Sequence, residues 1–402
     1  MDKTVGLACN ISTGKLDANQ AVSGGKYPFF TCAEFPDNID HFAYDDDVVL
    51  VAGNNARGNF HVSRYKGKFN AYQRTYILTA KEGFNIDYIY YALKLELKRL
   101  RERAQGSQTK FLTMPILTGI HLRDVTGDEQ IEIANVLSAL DKKIELNNRI
   151  NIELEAMAKT LYEYWFVQFD FPDANGKPYK VSGGKMVYND TLKREIPVGW
   201  SDGTLDNLGQ IVGGSTPSTT DKNNFSEQGS AWITPNDLSG NIGNKFISKG
   251  AMGVTAEGIK SASLKKYPAG TVLLSSRAPI GYMAIARNSL TTNQGFKSFV
   301  PSKGYPTEFV YFTVKNSLKA IIQYSSGSTF KEVSGAVLKT VKIVLPPSEL
   351  VEEFKGKVED FFKRQDTLEQ ENEQLIALRD WLLPMLMNGQ VTVKPSSESE
   401  KA

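Results

Sequence analysis

The chain has 402 residues, of which 41% are hydrophobic and 23% charged, with a formal net charge of +2. That balance fits a globular protein of two to three domains, and no apolar run reaches the roughly 18–20 residues that a membrane span needs. The only cysteines, Cys9 and Cys32, exclude a disulfide framework. With no suitably spaced histidine they make no zinc site, and the expectation is a reducing, cytoplasmic setting without a secretory leader.

Residues 1–125 read as a mixed lobe of short strands and loops. Asp47-Val48-Val49-Leu50-Val51 is a strand run stopped by Gly53-Asn54-Asn55. Asp45-Asp46-Asp47 before it reads as a solvated turn. Asn85 to Arg103 reads as a helix capped by Asn85 or Asp87, and Leu117 to Val125 alternates like a strand. Gly127-Asp128 is expected to cap a long helix, 126–168, running to about Phe166. Its apolar seam holds a 4–3 spacing through Ile133, Leu137, Leu140, Ile144, Asn147, Asn151, Leu154, Ala158, Leu161 and Trp165. So narrow a stripe needs a partner helix. A Pro- and Gly-rich linker, 169–199, leads to a second lobe, 200–346. A second long helix, 347–388, follows, with a seam at Phe354, Val358, Phe361, Gln365, Leu368, Asn372, Leu375, Arg379, Leu382 and Leu386. Leu383-Pro384 should end or kink it, and the polar tail 389–402 reads as disordered.

The second half repeats the first. Gln73–Trp165 and Gln294–Leu386 match at an offset of about 221: Tyr88-Ile89-Tyr90-Tyr91 against Phe309-Val310-Tyr311-Phe312, and Gly106-Ser107 against Gly327-Ser328. Upstream, Val49-Leu50-Val51 matches Val272-Leu273-Leu274 with a slip of two. The expected fold is therefore α/β (α+β), two globular lobes and two long helices in a pseudo-two-fold repeat. An antiparallel coiled coil would set Asn147 against Asn372, a parallel one Asn151 against Asn372. Connectivity favours antiparallel.

Charge is segregated along this plan. Residues 1–125 carry 16 Lys+Arg against 13 Asp+Glu and residues 200–345 carry 15 against 8, whereas 126–168 carry 4 against 8 and 348–388 carry 5 against 10. Basic lobes on acidic helices fit an anionic ligand held by the lobes. Catalytic motifs are missing. Every Gly-Lys pair lacks the P-loop continuation, no glycine-rich turn follows a strand as a dinucleotide cradle, and His41, His61 and His121 are scattered. Asp141-Lys142-Lys143 has nuclease-like spacing but stands on the helix without a partner carboxylate. What remains is binding chemistry. Arg57, Arg64, Lys66 and Lys68 interleave with Phe60, Tyr65 and Phe69. Arginine, asparagine and glutamine suit base edges, and lysine and hydroxyls suit phosphates. The candidate DNA contacts are Lys15, Arg57, Arg64, Gln73, Arg74, Ser107 and Lys110 in the first lobe. In the second they are Ser215, Thr216, Arg277, Asn293, Gln294, Lys297, Ser328 and Lys331. No catalytic or metal-ligating residue is assigned.

The ordered set Trp165-Phe166-Val167-Gln168-Phe169-Asp170-Phe171-Pro172, Gly176-Lys177-Pro178-Tyr179, Glu195-Ile196-Pro197-Val198-Gly199-Trp200, Gly213-Gly214-Ser215-Thr216-Pro217 and Trp232-Ile233-Thr234-Pro235-Asn236-Asp237-Leu238 resembles the specificity (S) subunit of type I restriction–modification systems across the whole chain. The resemblance implies two target recognition domains, each reading half of a split, asymmetric site in double-stranded DNA. It implies that the coiled coil sets half-site spacing and docks two methyltransferase (M) subunits, joined by restriction (R) subunits. S-adenosylmethionine, ATP and magnesium would then belong to those partners, and this chain would be no enzyme. The first lobe departs from the pattern, with Ile11-Ser12-Thr13-Gly14-Lys15-Leu16 where the second has Val212-Gly213-Gly214-Ser215-Thr216-Pro217. A structural scaffold with two protein-binding lobes, or a degenerate restriction–methylation enzyme, are the alternatives.

Overall fold

The computed structural model describes residues 3–54, 60–103, 111–277, 279–324 and 332–393. Two compact units emerge, Met1–Glu145 with Glu373–Ala402, and Leu146–Asn372. The tail 394–402 lies outside the described residues.

In the first unit, α1 (Val5–Ala8) precedes β1 (Cys9–Thr13), β2 (Tyr27–Phe30), β3 (Asp37–Ile39), β4 (Tyr44–Ala52), β5 (Val62–Ala71) and β6 (Thr75–Ala80). They form one sheet in the order β1-β6-β4-β5-β2-β3, antiparallel except for β2 beside β5. The unbroken apolar run of β4 is explained by burial on both faces. Val49 and Val51 pack under helix α2 (Ile86–Arg103) with Ile89 and Leu93, while Val48 and Leu50 face Phe30 and Phe69. Asn85 Oδ1 caps α2 by accepting from the Tyr88 amide at 2.9 Å.

Three expectations fail here. Asp45–Asp47 belong to β4 itself rather than to a turn. Leu117 lies in a short helix, α3 (Met114–Thr118), started by Thr113 and Pro115, and beyond it only His121 makes a strand-like bridge, to Thr4. The alternation of 117–125 reflects single buried anchors, Leu117, Leu122 and Val125, in a covering segment. The first long helix, α4 (Gly127–Tyr162), is capped by Thr126, not Gly127-Asp128. Thr126 Oγ1 accepts from the Glu129 amide at 3.2 Å while Glu129 accepts from the Thr126 amide at 2.9 Å, a capping box.

The helical chain leaves α geometry at Tyr162, short of Phe166, and makes a π-turn over Glu163–Val167. Phe169 then turns the chain at φ 69°. The linker folds as a hairpin, β7 (Met186–Asn189) with β8 (Arg194–Pro197). The second lobe follows with β9 (Ser201–Thr204), β10 (Gly209–Gly213), β11 (Phe225–Ser226), β12 (Ser230–Ile233), α5 (Pro235–Gly240), β13 (Phe246–Ile247), β14 (Met252–Val254) and α6 (Ala256–Ser261). Next come β15 (Val272–Leu274), β16 (Met283–Ala286), β17 (Thr291–Thr292), β18 (Lys297–Pro301), α7 (Thr307–Asn316), α8 (Leu318–Gln323), α9 (Gly335–Leu338) and β19 (Lys342–Leu345). Their sheets run β10-β18-β15-β16-β13 and β11-β14-β12-β17, with β9 beside β19.

The internal repeat holds in register. The pairing Val49↔Leu78 in the first lobe is matched by Val272↔Phe299 in the second, and the parallel pairing Phe30↔Ala71 by Ile233↔Thr292. Leu78–Phe299 and Ala71–Thr292 keep the offset of 221 read from the sequence and Val49–Val272 the slip of two, while Phe30 and Ile233, further upstream, stand 203 apart.

The second long helix, α10 (Ser348–Met387), passes through Pro384 without ending. Pro384 lacks an amide donor, and the carbonyls of this last turn are met by amides beyond the helix, Asn388 on Pro384 at 3.0 Å and Gln390 on Met385 at 2.9 Å. Within each unit the two long helices run antiparallel. In the second unit Asn147 Nδ2 donates to Asn372 Oδ1 at 2.9 Å, Asn372 Nδ2 donates to Asn148 Oδ1 at 2.8 Å, and Gln365 Nε2 donates to the Asn151 carbonyl at 3.1 Å. In the first, Arg379 Nη1 pairs with Asp141 at 2.8 Å, and Leu137 shares a core with Leu386. Asp141, which has no partner carboxylate in the sequence pattern, also accepts from Tyr91 Oη at 2.8 Å. Leu137, Ala158, Trp165, Phe354, Val358, Leu368 and Leu386 are buried. Leu140, Ile144, Leu154, Leu161, Leu375 and Leu382 are half-buried. Phe362, rather than Phe361, is the fully inserted aromatic of its turn.

The second lobe grips its helices through buried charge. Lys245, 4% exposed, reaches Glu155 and Gln365 at 2.6 Å each and lies 3.5 Å from the Phe362 ring centroid. Glu369 accepts from the Lys245 and Phe246 amides at 2.7 and 3.0 Å, and Arg287 pairs with Asp366. Burial pulls the Lys245 ammonium down to about 8. Burial also opposes ionisation of Glu155, but the Lys245 and Lys315 ammoniums outweigh it and hold its carboxyl below the usual 4.5.

Two predictions follow from these polar contacts. Asn147→Ala leaves Asn372 without its buried donor and is expected to cost about 1–3 kcal/mol in urea unfolding. Asn147→Leu with Asn372→Leu is expected to recover most of that, and equal destabilisation by the single and double variants would contradict it. Glu155 has a depressed folded pKa, so its stabilisation is present above the unfolded value of 4.5 and lost as pH falls through the lower folded value. Glu155→Gln should therefore lower the melting temperature at pH 7 and flatten its decline below pH about 4.5, readable by calorimetry across that range.

Candidate nucleic-acid interface

Each lobe builds a polar tip where its parallel strand pair ends. In the first lobe the Tyr72 amide donates to the Phe30 carbonyl at 2.9 Å and the Gln73 amide to the Leu16 carbonyl at 2.9 Å. The segment carrying Lys15 is thereby drawn beside the turn carrying Gln73 and Arg74. Gly14 permits this approach, since a Cβ there would lie 2.2 Å from the Ala71 oxygen and 2.3 Å from that of Tyr72. Lys15, Gln73 and Arg74 are exposed. Gln73 Nε2 donates to Asp17 Oδ1 at 2.9 Å, and the Arg74 guanidinium lies 5.9 Å from the exposed Phe111 ring. Cys32 Sγ stands 3.8 Å from the Arg74 carbonyl.

The second lobe reproduces the frame with other side chains. Gly214 has the place of Gly14, a Cβ there lying 1.9 Å from the Thr292 oxygen. The Asn293 amide donates to the Ile233 carbonyl at 3.0 Å, as Tyr72 does to Phe30, and the Ser215 amide donates to Thr292 at 3.1 Å. Thr216 Oγ1 donates to Gln294 Oε1, and Trp232 Nε1 braces the Ser215 carbonyl at 3.2 Å. Asn293 Oδ1 accepts from the Gly295 amide at 2.9 Å, so this side chain shapes the turn. Arg277 and Lys297 converge on Glu332 at 3.1 and 3.8 Å.

The predicted residues thus fall into groups. Lys15, Gln73 and Arg74 come together, as do Ser215, Thr216, Asn293 and Gln294. Arg277 and Lys297 share one carboxylate. Arg64 does not join the first tip; it is held by Asp47 and by Asp87, the latter at 2.7 Å, inside the lobe. Partial burial opposes ionisation of Asp47, but Arg64 and Lys66 hold its carboxyl below the usual value. An arginine in a β-strand is as readily a sheet-to-helix strut as a ligand contact, and sequence does not separate the two. Arg57, Ser107, Lys110, Ser328 and Lys331 lie outside the described residues. Sequence reasoning missed Phe111, Asp17 and Glu332. Of these, only Phe111 carried a signal, as an aromatic directly after the polar sequence run Gln105-Gly106-Ser107-Gln108-Thr109-Lys110. Among the described residues no cluster of His, Cys, Asp and Glu could hold a metal ion, and no helix is long and apolar enough to cross a membrane.

The family model described as type I restriction modification DNA specificity domain matches residues 3–156 and 197–377. The chain belongs to this family. A specificity subunit of the type I enzyme EcoDI from Escherichia coli is 27% identical over 99% of this chain and 90% of its own length. The MjaIX specificity subunit of Methanocaldococcus jannaschii is 37% identical over 53% of this chain, a stretch that spans about half, 49%, of that relative. Among solved structures, the S subunit of a type I restriction–modification system from M. genitalium has the same fold, with a TM-score of 0.60 over 96% of both chains at 16% identity. The two matched segments of the specificity family each contain one tip and most of the following helix.

The cysteines of this specificity-family chain give a direct probe of the first tip. Cys9 is buried, and burial pushes its thiol up to about 12, whereas Cys32 is partly exposed beside Arg74. A maleimide is expected to label one thiol per native chain, at Cys32, and two in denaturant. Labelling of Cys9 in the folded protein would contradict this packing.

Proposed function

We propose that this chain is the DNA-reading, non-catalytic subunit of a type I restriction–modification complex, and that each tip reads one half of a bipartite, asymmetric site. The observation that carries the reading is the repeated frame. Gly14 and Gly214, and the pairs Phe30–Ala71 and Ile233–Thr292, hold the same backbone arrangement. The side chains placed on it differ: Lys15, Gln73 and Arg74 in one lobe, Ser215, Thr216 and Gln294 in the other. One scaffold bearing two sets of donors and acceptors is what two different half-sites require. Each half binds weakly, and linkage makes the second contact intramolecular.

The helices are read as the spacer and as the docking surface for two methyltransferase subunits, which restriction subunits then join. In support, Met157 and Leu378 occupy equivalent positions of the repeat and are 53% and 43% exposed, so each long helix offers an apolar contact in its own unit. Methyl transfer from S-adenosylmethionine and ATP- and magnesium-dependent steps belong to the partners in this reading.

The test is methylation mapping of DNA exposed to the chain together with its methyltransferase subunits. Methylated bases within one split motif, with one half changing when one lobe is exchanged, is the expected result. Inserting seven residues into each helix should lengthen the gap between the half-sites and leave their sequences unaltered. Methylation without a split motif, or a motif indifferent to lobe exchange, would overturn the reading.

A further inference from the structure

The first lobe has a feature that its tip does not account for. An open cleft of about 470 Å3 lies between the end of α2 and the loop that follows β2. Lys94, Lys98 and Arg101 line one wall, His61 the floor beside β5, and Glu34 and Phe35 the opposite rim. The three cations stand at i, i+4 and i+7, one stripe of α2. Among the described residues none of them takes part in an ion pair, and Lys94 rests on the Tyr90 ring at 5.1 Å. Phe35 is 75% exposed. Three unneutralised cations beside a single carboxylate make this wall a standing positive field.

The rim of the cleft is tied to the tip. The loop that carries Glu34 and Phe35 begins at Cys32, against the Arg74 carbonyl. A strand of phosphates passing Arg74 thus meets the cleft next. The second lobe has no such wall. At the equivalent positions Lys315 is tied to Glu155 at 2.6 Å, Lys319 is exposed, and Ile322 replaces the arginine.

We infer that the α2 cleft of the first lobe is a sequence-independent DNA contact that takes backbone phosphates flanking the half-site read by that lobe. It rests on the reading of the tips as DNA-binding and adds an asymmetry: at these helix positions the first lobe holds phosphates that the second lobe does not. Lysine and arginine at such contacts add affinity and salt dependence but no base preference.

The experiment compares the chain carrying Lys94→Gln, Lys98→Gln and Arg101→Gln with the parent. Both are assembled with the methyltransferase subunits and titrated on a duplex containing the mapped motif at several salt concentrations. The expected result is affinity lower by about 10-fold or more at 0.1 M salt and a salt slope shallower by about 2–3, with the methylated motif unchanged. Lys94→Arg, Lys98→Arg and Arg101→Lys together should keep the parent slope, and Lys319→Gln should change it by about one at most. An unchanged affinity and slope in the triple glutamine variant would overturn the inference. So would an unchanged slope with loss of methyltransferase association, which would assign the wall to an acidic protein surface. A parent complex that itself shows no salt-sensitive binding to the motif would instead overturn the proposed function, so the two failures are distinguishable. Native melting behaviour checks that the variants fold.

Discussion

The antiparallel pairing of the long helices depends on a small polar layer, Asn147 with Asn148 and Asn372. Apolar seams are permissive, since leucine packs against leucine in many registers. A buried amide is not, because its donors and acceptor need partners and each unmet group costs about 1–3 kcal/mol. Asn147 is fully buried and Asn372 is 5% exposed. Sliding either helix by a turn would break the Asn147–Asn372 and Asn372–Asn148 hydrogen bonds. Asparagine in a seam therefore fixes register at some cost in stability.

Each lobe is then tied to its own stretch of helix, and the two ties are unlike. The first unit uses the buried Tyr91 and the half-buried Arg379 on a half-buried Asp141. The second uses Lys245, Glu155, Gln365 and Glu369, nearly all buried, with three aromatic rings around the ammonium. Breaking a buried network by removing one partner typically costs several kcal/mol, whereas a surface pair contributes about 1 kcal/mol or less. The repeat has thus kept its backbone pairing while its polar anchors diverged. A geometry-critical attachment can be met by any charge arrangement that satisfies its own members.

This divergence bears on what was legible in the sequence. The repeat, the long helices and the Asn147–Asn372 pairing were readable because they rest on periodicity, which is local. The Lys245 network was not. Its members are 90 or more positions apart from Glu155 to Lys245 and again from Lys245 to Gln365 and Glu369, and nothing near Lys245 marks it as buried. The segment 117–125 misled because single anchors at uneven spacing imitate alternation. At the tips, Gln73 and Arg74 were singled out through the repeat and stand exposed on one turn, whereas the place of Arg64 was not legible without knowing that Asp47 and Asp87 converge on it.

The frame of each tip leaves its exposed side chains separable from folding. Gly14 and Gly214 are tied to their places by the carbonyls they touch, so any other residue there would displace the turn that follows. Gln73, Arg74 and Gln294 have no comparable packing duty; they project from a turn whose hydrogen bonds are made by backbone amides. Lys15, exposed beside that turn, is equally free to vary. Exchanging such residues costs the fold little, since surface positions free of buried partners usually shift stability by about 0.5 kcal/mol or less. A frame held by backbone contacts can therefore carry new donors and acceptors without being rebuilt, and the two halves of this chain already differ at those positions while keeping the same strand register.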